Sequence, residues 1–150
     1  MTTLRWSVGV LTLVFAAAAP AQAQPQVAAG RIKVVSGTAY IVRGSTTIPA
    51  RAGELVFAAD GLRTAADGSI GVTLKDDTRL SLGPSSEARL ERYVYAPGSG
   101  GLGMVVKFVR GVAAYVSGRM AKLAPESIRL ETPSAIVGVR GTTLAIRVDQ

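Results

Sequence analysis

The side chains that could do chemistry in this chain are few and of restricted kinds. Its 150 residues hold no histidine and no cysteine. A Ser–His–Asp or Cys–His pair therefore cannot be assembled, and the nitrogen and sulfur ligands that zinc, copper and haem sites favour are missing. Ser85 and Ser86 follow Gly83-Pro84, in surroundings unlike a nucleophile elbow. Asp60, Asp67, Asp76 and Asp77 lie beside turn residues, without the spacing of an EF-hand. The adjacent pair Asp76-Asp77 is expected to solvate a hairpin. The glycine run Gly98–Gly103 lacks the lysine of a phosphate loop. What remains is donor and aromatic chemistry. Arg140 stands in Arg140-Gly141-Thr142, Arg110 precedes Gly111, and Tyr93 and Tyr95 flank the glycine run. A guanidinium offers five donors in one planar fork. Arg140 could fill loop carbonyls or pair with Glu131 or Asp76, or it could grip a partner's carboxylate or row of carbonyls. The tyrosines are aromatic contacts if exposed and core if packed. The expectation is no enzyme, no metal and no cofactor, with Arg140, Thr142, Tyr93, Tyr95 and Arg110 as binding candidates.

The elements that must position these residues are short strands. Ile70-Gly71-Val72-Thr73-Leu74 and Thr78-Arg79-Leu80-Ser81-Leu82 alternate with period two, as half-buried strands do. Arg31–Val35 leads through Ser36-Gly37 into Thr38–Arg43, which Gly44-Ser45 ends. Ala50–Leu55 reads as a turn into a short strand, and Asp60-Gly61 and Asp67-Gly68 bracket Leu62-Arg63-Thr64. In 87–95, Ala88, Leu90, Arg92 and Val94 are expected on one, mostly apolar face, with Tyr93 and Tyr95 on the other. Ala96–Gly101 is a flexible loop that could divide two half-domains. Met104–Val109 and Val112–Val116 read as separate strands parted at Arg110-Gly111, and the chain closes with strands at 127–130, 135–139 and 142–148. Only Gly118–Pro125 offers a helical turn. Turn signals every eight to twelve residues predict an all-β fold: a glycine-turn-rich β-sandwich or β-roll of short, mostly antiparallel strands. Two similar halves are expected, because Lys33–Gly44 is echoed by Lys107–Gly118; chance likeness between hairpins is the other reading.

Residues 1–23 read as an export signal. Arg5 precedes an apolar stretch, Val8–Ala19, shorter than the ~20 residues that span a bilayer. Ala19-Pro20-Ala21-Gln22-Ala23 then supplies small residues for cleavage after Ala21 or Ala23. The mature chain of about 127 residues is one domain's worth, with its β body from residue 30 to 150. Seventeen basic and ten acidic residues give +7; loss of Arg5 leaves sixteen against ten, a formal +6. The basic residues are scattered, with no tract of four and no recognition helix, so nucleic acid is not an expected partner. An acidic envelope protein, an anionic polymer or a glycan is. The membrane is expected to be met only in transit, through the signal.

From Ile32 to Val148 the chain resembles the FecR domain family. The likeness is carried by Gly37-Thr38-Ala39, the Ala52-Gly53 turn, Leu62-Arg63-Thr64, Gly71-Val72-Thr73-Leu74 before Asp76-Asp77-Thr78, Leu82-Gly83-Pro84-Ser85-Ser86 and Val109-Arg110-Gly111. Its most specific part is Thr132-Pro133-Ser134-Ala135-Ile136-Val137-Gly138-Val139-Arg140-Gly141-Thr142. Within this set Gly37, Gly53, Thr64, Gly83, Gly111, Thr132, Pro133, Gly138 and Gly141 are expected to serve structure: glycine for positive φ or close approach, Pro133 to hold Thr132 out of the helical region, Thr132 to cap a turn. The resemblance implies a periplasmic regulatory or protein-interaction domain. In well-known members a cytoplasmic segment binds a sigma factor and the periplasmic part senses an outer-membrane transporter. Only seven residues precede the hydrophobic stretch here, so the expectation is the exported domain without sigma binding. A structural or glycan-associated envelope module is the alternative.

Overall fold

The computed structural model describes residues 26–149; the expected export signal and both cleavage positions lie outside the described residues. Twelve strands join in one curled sheet with two wings facing each other across a single core. They are β1 (Ala28–Ser36), β2 (Ala39–Arg43), β3 (Thr46–Pro49), β4 (Leu55–Phe57), β5 (Gly61–Thr64), β6 (Ser69–Leu74), β7 (Arg79–Leu82), β8 (Glu87–Ala96), β9 (Gly101–Val116), β10 (Ile128–Glu131), β11 (Ile136–Gly138) and β12 (Thr143–Val148). A single helical turn, α1 (Met120–Leu123), lies where one was expected. One wing runs β4-β1-β6-β7-β9-β12 and the other β3-β2-β5-β8-β9-β10-β11. All pairings are antiparallel except β10 with β9. The all-β, mostly antiparallel reading therefore stands.

The wings meet along one crease. Four of the places where the chain passes from wing to wing, at Gly37, at 65–68, at 83–86 and at Gly111, lie side by side. Gly37 and Gly111 both hold positive φ, +62° and +84°. A Cβ on Gly37 would run into the Asp67 carbonyl, and one on Gly111 into Ser86. The crossings are laced together by hydrogen bonds, several of them through buried Thr64 and Ser86. The Ala65 N–H donates to the Thr38 carbonyl (2.9 Å), and the Gly83 N–H to the Val112 carbonyl (2.9 Å). Buried Thr64 donates its hydroxyl to the Gly83 carbonyl (2.6 Å) and accepts the Ser86 N–H (2.9 Å). The Ser86 hydroxyl in turn accepts the Val112 N–H (2.8 Å). Buried polar groups need such partners, because an unpaired one costs about 1–3 kcal/mol. Gly37, Thr64, Gly83 and Gly111, picked out separately in the sequence, thus form one line.

Inside the fold Ile32, Ile41, Met104, Phe108, Tyr115 and Met120 are at most 1% exposed, each apolar side chain worth roughly 1.5–3 kcal/mol of burial. The alternation in β6 and β7 puts Ile70, Val72, Leu74, Leu80 and Leu82 into this core.

Gly44-Ser45 ends β2 as expected, and the two-residue turn there, with Gly44 at φ +58°, leads into a strand the sequence reading did not include, β3. Three expectations are corrected. Arg110-Gly111 does not end a strand, because β9 runs its 16 residues through both wings and bends at Gly111. The 96–101 segment does not divide half-domains; a 3-10 turn at Pro97–Ser99 closes the long β8–β9 hairpin. Finally, a bulge between Leu90 and Arg92 breaks the alternation of β8. Glu91 is the extra residue, so Arg92 and Val94 turn outward and Tyr93 and Tyr95 turn toward the core. The echo between the halves holds at the two glycine corners and stops at the threonines: Thr64 sits on the crease, Thr132 in a hairpin turn.

Candidate interaction surface

Tyr93 is held by an acid expected to face water. Asp76 has no exposed surface. Its carboxylate accepts the Thr78 hydroxyl (2.7 Å), the Tyr93 hydroxyl (3.0 Å) and the Thr78 N–H (3.3 Å), while its own N–H donates to the Tyr93 oxygen (3.0 Å). The Arg119 N–H donates to the Asp76 carbonyl (2.6 Å), which fastens α1 to the β6–β7 turn. Burial, and next the Asp76 charge, push the Tyr93 hydroxyl well above the ordinary tyrosine range. Tyr115, wholly buried, is also pushed up by burial; its hydroxyl completes no hydrogen bond, although Thr78 and Ser117 are close. Asp77 alone meets the solvated expectation, exposed and paired with Arg119 at 2.6 Å. Asp60 is likewise buried, gripped by both arms of the Arg43 fork at 2.9 and 2.7 Å. Tyr95 is half-buried and, with Val27, Lys75, Tyr93 and Val94, lines a cavity of about 310 Å³.

Arg110 is committed to the sheet. Its Nε lies 3.5 Å from Glu87, which Arg63 approaches from the other side at 3.3 Å. Arg140, by contrast, is exposed, and among the described residues its guanidinium makes no ion pair and no hydrogen bond. The expected pairing with Glu131 or Asp76 is not formed; Asp76 is buried and already filled with donors. Thr142 anchors the loop: it exchanges two hydrogen bonds with the Ser117 hydroxyl, both 2.9 Å, and its own hydroxyl donates to the Arg140 carbonyl. Thr132 caps the β10–β11 turn by accepting the Ala135 N–H (3.0 Å). Gly141 has positive φ (+61°). Gly138 has neither a positive φ nor a close neighbour, so neither backbone reason for glycine applies there.

The five binding candidates are therefore not gathered in one place. Tyr93 and Tyr95 lie at the hairpin end, Arg110 at the crease, and Arg140 and Thr142 in the loop between β11 and β12. That loop joins the last strands of the two wings, and around it lies what the sequence reading missed. β11 pairs only with β10 among the described residues. Its Ile136 is 67% and its Val137 39% exposed, while Val139 is buried and pins the segment down. Opposite, Leu144, Ile146 and Val148 of β12 are only partly covered by the core. Arg140 and Val139 border an open cleft of about 430 Å³ with Pro125 and Glu126. The unbroken apolar run 135–139 was the available signal, because a half-buried strand would alternate. The arrangement presents an apolar strand rim and a donor fork. No group of three or more acidic residues able to hold a metal occurs among the described residues, and no described helix is long and apolar enough to cross a membrane.

A family model described as FecR protein matches residues 60–150. No curated protein and no solved structure matches the chain.

Proposed function

We propose that this chain, which belongs to the FecR family, is a non-enzymatic interaction domain of the cell envelope that docks a protein partner along its carboxy-terminal rim. Residues 1–23 serve as its export signal, cleaved after Ala21 or Ala23, and the folded body works in the periplasm. The observation that carries this reading is the exposure of Ile136 and Val137 on a strand that, among the described residues, is paired along one edge only. Natural sheets usually guard such edges with charge, proline or a cover, and an apolar unpaired edge is a ready template for strand addition by an extended segment. Arg140 stands beside it with its fork free for the partner's carboxylate or carbonyl row. Tyr93, tied to Asp76, contributes to stability rather than contact.

The test is site-specific photocrosslinking in intact cells expressing the full chain. A crosslinker at Ile136 or at Val137 is expected to give one discrete adduct with an envelope protein, and Arg140→Glu to reduce its yield. A crosslinker at Lys33, on the other wing, is expected to give none. Equal adducts from Lys33, or none from the rim in correctly exported protein, would overturn the assignment.

A further inference from the structure

A second surface, which meets the rim at β11, is the outer face of the wing built from β5, β8, β9, β10 and β11. The register places its residues in rows that run across the strands. Arg92, Val105 and Arg129 form one row, and Arg89, Lys107 and Glu131 the next. Arg92, Lys107, Arg129 and Arg89 are all exposed. The bulge at Glu91 is what brings Arg92 to this face at all. The Arg92 guanidinium lies along Gly103, with Cζ, Nε and Nη2 within 3.3–3.4 Å of where a Cβ would stand. A glycine at this spot leaves room for the guanidinium to lie flat on the sheet. Of the acids on the face, Glu87 is held between Arg63 and Arg110, and Glu91 lies 3.5 Å from Arg89. Glu131 is opposite Lys107 without forming an ion pair, and Arg92, Lys107 and Arg129 have no ion-pair partner among the described residues.

We propose that this face binds a linear acidic polysaccharide laid across the strands along the Arg92–Val105–Arg129 row. Charge complementarity selects an anion, and the flat row selects an extended one. Neighbouring strands are ~4.8 Å apart, close to the length of one sugar in an extended chain. Arg92 and Arg129 are two strands apart, roughly 10 Å, the spacing at which alternate sugars of a two-fold ribbon turn their carboxylates to the same side. Val105 between them gives a low apolar floor for the intervening ring. Strongly protruding apolar side chains, which a membrane surface would call for, are absent from these two rows apart from the rim itself.

The test uses protein purified from the envelope of cells expressing the full chain, on immobilised polygalacturonate at low salt. Retention is expected, with release as salt screens the contacts. Arg92→Gln with Arg129→Gln is expected to weaken binding about tenfold, in keeping with two exposed charge contacts. Lys33→Gln with Arg79→Gln removes the same charge from the opposite wing and is expected to change binding less than about twofold. All four positions are exposed, and matched thermal melts verify folding. Equal losses from the two doubles would reduce the effect to net charge and overturn the proposal. So would retention on phosphatidylglycerol vesicles without retention on polygalacturonate.

Discussion

Asp76 gathers more donors than any other carboxylate described, and one of them, the Tyr93 hydroxyl, is pushed upward by burial and by the Asp76 charge. This gives the protein an alkaline limit whose sign can be worked out. In the unfolded chain a tyrosine ionises near pH 10. In the folded chain Tyr93 holds its proton to higher pH, and Tyr115 is shifted the same way. Above about pH 10 the unfolded state therefore binds fewer protons than the folded one, and stability falls as pH rises. Below pH 10 the contribution is fully present. The urea midpoint is expected to be flat from pH 7 to 9 and to fall beyond pH 10. Tyr93→Phe leaves Asp76 one donor short, so it is expected to cost about 1–2 kcal/mol at pH 8 and to make the alkaline fall shallower. An unchanged slope in urea titrations of that variant would place the pH sensitivity elsewhere. None of this was legible from Asp76-Asp77 as a sequence. Two acids at a turn look alike, and only the return of β8 and α1 over the turn buries one and leaves the other in water.

At the scale of elements the crease and the bulge decide what each strand shows. The turn glycines were legible singly, because Ser-Gly and Asp-Gly between β-branched runs are local signals. Their alignment was not, since it depends on pairings between segments tens of residues apart. The continuity of β9 was hidden for the same reason: Gly111 reads as a stop, yet its positive φ lets one strand turn a corner. The bulge at Glu91 carries no local signature, so every residue after it in β8 was assigned to the wrong face. The glycines now separate into classes that a stability series can check. Gly111→Ala puts a Cβ at positive φ and into the Ser86 Cα, at 2.6 Å, and the Ser85 carbonyl oxygen, at 2.7 Å. Strain of about 1–2 kcal/mol adds to overlap with backbone that cannot rotate away, and a total above about 3 kcal/mol is expected. Gly53→Ala has the strain (φ +94°) but open space, and is expected to cost only about 1–2 kcal/mol. Gly138→Ala has neither and is expected to stay within about 0.5 kcal/mol. Chemical denaturation of the three variants should rank them in that order; a large loss at Gly138 would mean β11 packs more closely than its exposure shows.

For the molecule as a whole, the consequence of β9 is that the two wings cannot come apart one at a time. Its first ten residues pair with β8 and β10, and its last six with β7 and β12. Phe108 on one side of Gly111 and Tyr115 on the other belong to the same buried cluster. Freeing either wing would expose the inner face of the other and strand Thr64 and Ser86 along the crease without partners, at about 1–3 kcal/mol for each buried polar group. A partly unfolded state would therefore carry most of the cost of unfolding and recover only part of the chain entropy. A single cooperative transition is expected, as for small single domains generally, despite the internal echo and the glycine loop that suggested two halves. Far-ultraviolet circular dichroism, which reports on both wings, and the near-ultraviolet tyrosine signal should give coincident urea midpoints. Phe108→Leu in one wing and Leu82→Ala in the other should each lower that one midpoint without splitting it, the second by the ~2–5 kcal/mol typical of a buried Leu→Ala change. Two separated transitions in either variant would show that the crease is a hinge between independent units, with the rim strand β11 and the basic face carried on the same one.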